Sequence, residues 1–270
     1  MTRTTVVTIA RGRLDHLALQ LRGLARGSVV PDEHVVVSMG DPDVTAAART
    51  ASCTVVGVPV DGELPLSRAR NVGVRTALDG GADVVVLLDV DCVPGPDLVR
   101  TYRDHVASGD PALWCGTVAY LPPPPDGGYD LATLGDGVAP HAARPAPAAG
   151  EVLDGDHRLF WSLSFAVDGP TWDLVGGFDE GYSGYGGEDT DVGQRARAAG
   201  VPLRWLGGAP AFHQHHPTST PPVQHVRSIV ANATRFHARW GWWPMEGWLE
   251  AMATQGLVRH VDDTWLLTAP

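Results

Sequence analysis

The chain has 270 residues, 44% of them hydrophobic, enough for one large α/β domain with a buried core. Its formal net charge of −11, from 20 basic and 31 acidic residues, excludes a nucleic-acid binder and a protein that docks on anionic membranes, because no basic field is available to release counterions. The surplus of carboxylates, with 11 histidines, suits a divalent cation instead.

The first 120 residues alternate strand and helix signals. Residues 4–10 (TTVVTIA) are β-branched and short, a strand; 14–26 carry apolar residues at helical spacing. Residues 34–39 (HVVVSM) form a second strand ending at Gly40-Asp41-Pro42, 54–60 a third, and 67–78 a helix. The run 83–88 (DVVVLL) is continuously apolar, the mark of a strand buried on both faces. Strands separated by helices predict a Rossmann-like, mostly parallel central sheet flanked by helices, with ligands at the carboxyl ends of the strands. Between 121 and 150 proline, glycine and alanine dominate, which predicts a long exposed loop. Regular structure resumes at 159–167, a helix follows at 189–199, and a strand-like stretch at 202–205 leads to three histidines in 213–216. The tail is predicted helical over 223–257, with 240–244 (WGWWP) turning the chain between two helices. Its tryptophans are assigned to packing. Cys53, Cys92 and Cys115 are scattered and read as reduced thiols. No apolar run reaches the length of a membrane span and no leader pattern is present, so a cytoplasmic protein without a transmembrane segment is expected.

Three groups of residues carry chemistry. Asp89 and Asp91 follow the buried strand at i and i+2, spacing that turns both carboxylates to one side of an extended chain. Such a pair resists double ionisation unless a cation relieves it, and a cation there also stabilises a departing diphosphate. Aspartates ending a strand before a turn give the same pattern without function. The glycine-rich stretch 176–187 ends in Glu188-Asp189-Thr190-Asp191, which opens a helix. The acids could merely complement the helix dipole, or one could act as a general base. Tyr182 and Tyr185 inside this glycine run offer faces for stacking on sugar rings. Of the histidines, His213 is the first choice as a metal ligand and His216 the reserve.

In this order the motifs resemble the family 2 glycosyltransferases of GT-A fold: Asp41, then Ala-Arg-Asn-Val-Gly at 69–73, Asp89-Val90-Asp91, Gly-Gly-Phe-Asp-Glu at 176–180, Gly-Gly-Glu-Asp-Thr-Asp at 186–191, and the histidine. The stretch 176–191 also looks like the carboxy-terminal domain of animal β-1,4-galactosyltransferases. The resemblance implies a single GT-A domain: a nucleotide-sugar-binding half (1–120), the Pro/Gly/Ala-rich loop (121–150), an acceptor and catalytic half (151–216) and a C-terminal helical tail (217–270). It implies donor contacts at Ala10, Arg11, Asp41, Arg70, Asn71 and Asp89, and metal ligands Asp91 and His213 for Mn²⁺ or Mg²⁺. Asp189 becomes the catalytic base with Glu188 beside it. Trp161, Tyr182, Tyr185 and Gly187 are the candidates for the acceptor side, with core packing the alternative for the aromatic residues and the preferred reading for Trp161. The expected reaction is inverting transfer from a nucleotide diphosphate sugar, with uridine favoured, to a hydroxyl acceptor that is a glycan, a lipid-linked sugar or a small molecule. A retaining transferase, a nucleotidyltransferase-like enzyme and a non-catalytic carbohydrate binder are the alternatives. For the nucleotidyltransferase, Arg11-Gly12-Arg13 is a poor phosphate loop.

Overall fold

The apolar run after Asp83 forms the strand β4 (Val84–Leu88), buried along its whole length near the middle of a nine-stranded sheet. The computed structural model describes residues 2–268. Ahead of β4 come β1 (Thr4–Ala10), α1 (Leu14–Ala25), β2 (Glu33–Met39), α2 (Pro42–Thr50), β3 (Thr54–Val58) and α3 (Leu66–Asp79). After it come β5 (Cys92–Pro94), α4 (Leu98–Val106), β6 (Leu113–Tyr120), β7 (Val152–Asp154), β8 (Ser164–Val167), α5 (Gly169–Val175), α6 (Glu188–Ala198) and β9 (Leu203–His213). The sheet order is β3-β2-β1-β4-β8-β6-β9-β5, with β7 also on β9. Strands β1, β2, β3, β4, β6 and β9 run one way; β5, β7 and β8 oppose them. The carboxyl ends of β1, β4, β6 and β9 therefore share one edge, and the candidate site is built there.

Glycine in the Ala-Arg-Asn-Val-Gly segment has a packing reason. A Cβ on Gly73 would lie 2.4 Å from Cγ1 of Val7, so only glycine lets α3 rest on β1. One core cluster joins β1, β2, α3, α5 and α6 around Phe160, Phe165 and Trp205; another packs α4 beneath β4, β6 and β9.

One expectation holds with exceptions and one is corrected. The 121–150 loop lacks helices and strands and is mostly exposed, as expected, but a few of its side chains are buried. Leu121 and Leu134 are buried in a cluster with Val93 and Phe212, because apolar residues sparse in sequence gather on the end of β9. The tail is not helical to its end. After α7 (Val226–Trp240) and α8 (Glu246–Thr254), β10 (Val258–Val261) and β11 (Thr264–Leu267) form a hairpin. Its two-residue turn, Asp262-Asp263, has positive φ at both positions, the geometry that matches strand twist. The expected turn between two helices at 240–244 is present, with Gly241 left-handed at the end of α7.

The tail is fastened to α6 through Asp191, which is fully buried. Its carboxylate accepts from Arg239 Nη1 at 3.0 and 3.1 Å, Trp240 Nε1 at 2.8 Å and the Tyr182 hydroxyl at 3.3 Å. Asp191→Ala strands those donors, and should lower stability by about 3 kcal/mol, the low end for breaking a buried pair because Arg239 can rehydrate. Urea unfolding followed by tryptophan fluorescence measures it; a loss below ~1 kcal/mol would contradict the clamp.

Candidate active site

The chain does not stay extended after β4. Cys92 N–H donates to the Asp89 carbonyl at 2.8 Å, a tight turn, and the buried Gln20 amide clamps the same turn by donating to the carbonyls of Asp89 and Cys92. This corrects the same-side reading of the aspartate pair: the turn sends the two carboxylates to different partners. Asp91 reaches β9, because β5 pairs with it in a register that sets Cys92 opposite His213. Nε2 of His213 and Nε2 of His216 each lie 3.4 Å from Asp91 Oδ2. The ligand atoms of these three residues are within 4.8 Å of one another. Two imidazoles and a carboxylate on one side of a point is the chemistry of a divalent-cation site, and 3.4 Å is close to the ~3.0 Å edge of an octahedron with ~2.1 Å bonds. His216, the reserve choice, thus stands with His213 as its equal. His215 points elsewhere; its backbone N–H donates to the Tyr129 hydroxyl at 3.1 Å. Burial would raise the Asp91 carboxyl, but hydrogen bonds from the two imidazoles outweigh it and hold Asp91 well below the usual carboxylate range. His213 is correspondingly raised, its burial overcome by Asp91.

Asp89 turns to Arg70, whose Nη2 lies 3.2 Å from Oδ1. Arg70 is 5% exposed and also sits 3.6 Å from Glu188 and 4.0 Å from Asp189. One guanidinium therefore joins the end of β4 to the start of α6. Burial pushes Asp89 up to about 6, with Arg70 opposing and Asp91 adding. Burial pushes Glu188 up to about 7, with Asp189 adding and Arg70 opposing. Asp189 is the more open acid, its side chain 24% exposed. Ser162 orients it with two donors, backbone N–H to Oδ2 at 3.1 Å and hydroxyl to Oδ1 at 2.7 Å, which leaves lone pairs on both oxygens for an incoming hydroxyl. Gly187, with φ 88, turns the glycine run into α6 and sets both acids at its first turn.

The remaining predicted residues divide. Ala10 is buried at the end of β1 and Arg11 exposed beside it. Asp41 caps α2 and accepts the Gly12 N–H at 2.6 Å, tying the turn after β1 to β2. Asn71 is a clasp rather than a free donor contact. Its amide bonds the Phe178 N–H and carbonyl, each at 2.9 Å, and Glu180 at 2.9 Å, so its polar atoms are engaged in holding the glycine-rich segment on α3. Tyr182 leaves the acceptor side: it is 3% exposed and its hydroxyl serves Asp191. Gly187 is buried as well and contributes a conformation, not a surface. Tyr185 is 40% exposed, stacked on Trp248 of α8 at 5.9 Å, and its hydroxyl is pushed above the usual range by burial and by Glu188 and Asp189 nearby. Trp161 is half-buried, edge-on to His141 at 5.1 Å and beneath Arg144 at 5.2 Å, both from the 121–150 loop. Tyr120 stacks on His213 at 4.6 Å. Sequence reasoning missed Ser162, Gln20, Tyr120, His141 and Arg144; each acts across a separation no local motif records.

A family described as the N-terminal domain of galactosyltransferase matches residues 158–217, the segment holding Trp161, Ser162, both helix acids and both imidazoles. The validoxylamine A glucosyltransferase of Streptomyces hygroscopicus subsp. jinggangensis is 28% identical over 194 residues, covering 63% of this chain and 44% of that protein. The chain thus spans less than half the length of this curated relative. Among solved structures, GalNAc-T7 with UDP, GalNAc and Mn²⁺ is similar at a TM-score of 0.59, 12% identity, 94% of this chain and 57% of that one. TarS of S. aureus is similar at a TM-score of 0.55, 12% identity, 87% of this chain and 66% of that one. The chain has the GT-A fold, with a galactosyltransferase-like segment in its second half. No helix of the described residues is long and apolar enough to cross a membrane.

Proposed function

We propose that the protein is a divalent-metal-dependent, inverting glycosyltransferase that moves a sugar from a nucleotide diphosphate donor, a UDP-sugar by preference, to a hydroxyl acceptor. One observation carries the reading: the acid pair at the start of α6 and the Asp91–His213–His216 triad, contributed by three separate stretches of the chain, meet at one sheet edge, where Arg70 joins Asp89 beside Asp91 to the acid pair. A carbohydrate binder has no use for an oriented base beside a metal triad. A nucleotidyltransferase has no use for the Glu188–Asp189 pair. The names of the relatives, a glucosyltransferase and GalNAc-T7 with UDP and Mn²⁺, agree with the reading.

Asp91, His213 and His216 would hold the cation, with Mn²⁺ preferred over Mg²⁺ because imidazole is a softer ligand than carboxylate. Bound there, the cation stabilises the negative charge that develops on the departing diphosphate. Asp189, oriented by Ser162, accepts the acceptor hydroxyl's proton. The freed oxygen pair forms the new bond to the anomeric carbon from the opposite face, and the bond to diphosphate breaks with its electron pair leaving on the nucleotide. Arg70 keeps Asp89 and Glu188 from raising the local negative charge to a level that would repel the donor. Tyr185 and Trp161 flank the acceptor.

Thermal denaturation with Mn²⁺ and a panel of nucleotide sugars tests the donor class. A ligand at 100 times its dissociation constant stabilises by about 2.7 kcal/mol, which is readily seen as a higher melting temperature. A Mn²⁺-dependent shift with nucleotide diphosphate sugars is expected. No shift with any of them removes the reading, and retention of anomeric configuration in the product removes the inverting mechanism.

A further inference from the structure

A series of side-chain hydrogen bonds runs from β2 across β1 and α1 and ends on the turn that carries Asp91. Gln20 of α1 is fully buried, and its amide donates to the Asp89 carbonyl at 2.7 Å and the Cys92 carbonyl at 3.0 Å. Two carbonyls use both amide protons, so Oε1 at the other end of the group has only an acceptor's role. It lies 2.9 Å from the hydroxyl of Thr8, a fully buried residue of β1, and Thr8 must therefore donate. The Thr8 oxygen also lies 2.9 Å from Nε2 of His34 on β2; with its one proton spent on Gln20, it accepts there. His34 must then carry its proton on Nε2. Burial pushes its imidazole down to about 4, so it holds that single proton at neutral pH. Its bare Nδ1 faces the Cys53 thiol at 3.8 Å, whose proton also reaches the Ala51 carbonyl at 3.9 Å. From His34 to the turn, each proton has one place. Thr8 and Gln20 have no exposed surface, so water does not stand in for a lost partner.

We propose that Thr8 and His34 are positioning residues for the metal site: they fix Gln20 in the orientation that holds the 89–92 turn, and through that turn they set Asp91 against His213 and His216. The inference rests on the metal reading above. It extends that reading to two residues whose side-chain hydrogen bonds go to each other, to Gln20 and to Cys53. Without the Thr8 donor, Oε1 of Gln20 is a buried acceptor with no partner, and the side chain gains by turning away from the carbonyls to find one. The Asp91 carbonyl, between the two that Gln20 holds, accepts the Gln214 N–H at 2.7 Å. The turn therefore keeps one tether when the series is cut, and the loss is partial.

Titration calorimetry with Mn²⁺ on the whole chain separates a relay from packing. Thr8→Val keeps the shape and loses the hydroxyl; Thr8→Ser keeps the hydroxyl and loses a methyl group. Thr8→Val should weaken Mn²⁺ roughly tenfold, the low end for losing a group that orients a metal ligand, and Thr8→Ser should stay within about twofold of the wild type. A role in packing alone gives the reverse order, because valine is the better fill. Gln20→Met, of similar length but without the amide, cuts the series at the turn itself and should weaken Mn²⁺ at least as much as Thr8→Val. A second readout needs neither metal nor a variant. In nitrogen NMR of the wild-type imidazoles, His34 should show the neutral Nε2–H tautomer between about pH 6 and 8. A proton on Nδ1 overturns the inference. So does wild-type Mn²⁺ affinity in Thr8→Val or in Gln20→Met, or a larger loss in Thr8→Ser than in Thr8→Val. Each of these leaves the metal reading standing. Failure of the wild type to bind Mn²⁺ overturns both.

Discussion

Asp189→Asn should lower kcat by about 10²–10⁴-fold while leaving the affinity for the metal–nucleotide donor within about twofold. The asymmetry follows from what Asp189 touches. Its oxygens accept from the Ser162 N–H and hydroxyl at 3.1 and 2.7 Å, and Arg70 stands 4.0 Å away. None of these contacts includes Asp91, His213 or His216. An asparagine keeps the shape and can still accept from Ser162 through its one carbonyl oxygen, so the start of α6 should hold. What disappears is the capacity to take a proton. Ser162→Ala gives a graded companion: the base remains but loses its hydroxyl contact, and a smaller fall in kcat is expected. Single-turnover rates with saturating donor, together with donor affinity by calorimetry, separate the two quantities. Equal losses of donor affinity and turnover in Asp189→Asn would assign the residue to binding and leave the base to be found elsewhere, with Glu188 the next to test. Glu188 is the poorer base in geometry. It is 5% exposed, and its Oε2 makes no hydrogen bond.

The parts of this arrangement that were legible in the sequence are those with a short physical period. β1 and the buried core of β4 follow from β-branched and apolar runs that few other structures tolerate, and β1 spans the residues expected. Asp91, His213 and the acid pair were legible as candidates because they sit where strands end and a helix opens, which sequence pattern locates well. His216 was harder. It lies outside β9, and only the path of the chain after His213 brings it 3.4 Å from Asp91. The i, i+2 argument for Asp89 and Asp91 failed because it assumed an extended chain where a hydrogen bond closes a turn. The clasp made by Asn71 was not legible for a related reason. Its partners Phe178 and Glu180 are 107 and 109 residues away, and no property of Ala-Arg-Asn-Val-Gly distinguishes a clasp from a ligand contact. Tyr182 and Tyr185 sit three residues apart in the same glycine run, yet one is 3% and the other 40% exposed. Left-handed glycines at 184, 186 and 187 set that difference through chain direction, and a one-dimensional pattern does not encode it. Likewise the 121–150 loop looks featureless by composition, but its few apolar residues, together with His141 and Arg144, are placed on the edge of the site.

Asp91→Ala should abolish measurable Mn²⁺ binding at micromolar concentrations, a weakening of at least ~100-fold. Loss of residues that only orient a ligand already costs about 10–100-fold in affinity, and Asp91 is the single anionic member of the triad. The same experiment on the histidines decides the ligand set. If His213 and His216 are equal partners, as their matching 3.4 Å separations from Asp91 Oδ2 imply, His213→Ala and His216→Ala should weaken Mn²⁺ to a similar extent. A loss confined to His213→Ala would remove His216 from the ligand set. The pH dependence carries an independent check. His213 is raised because Asp91 favours its proton, although burial works the other way. A cation must displace that proton, so Mn²⁺ affinity should rise with pH through the neutral range and level off once His213 is neutral. His213→Ala should flatten that rise along with weakening the metal. Affinity independent of pH from 6 to 8 in the wild type would mean that the cation binds without displacing the proton, and would move it away from the imidazole toward the carboxylates around Arg70.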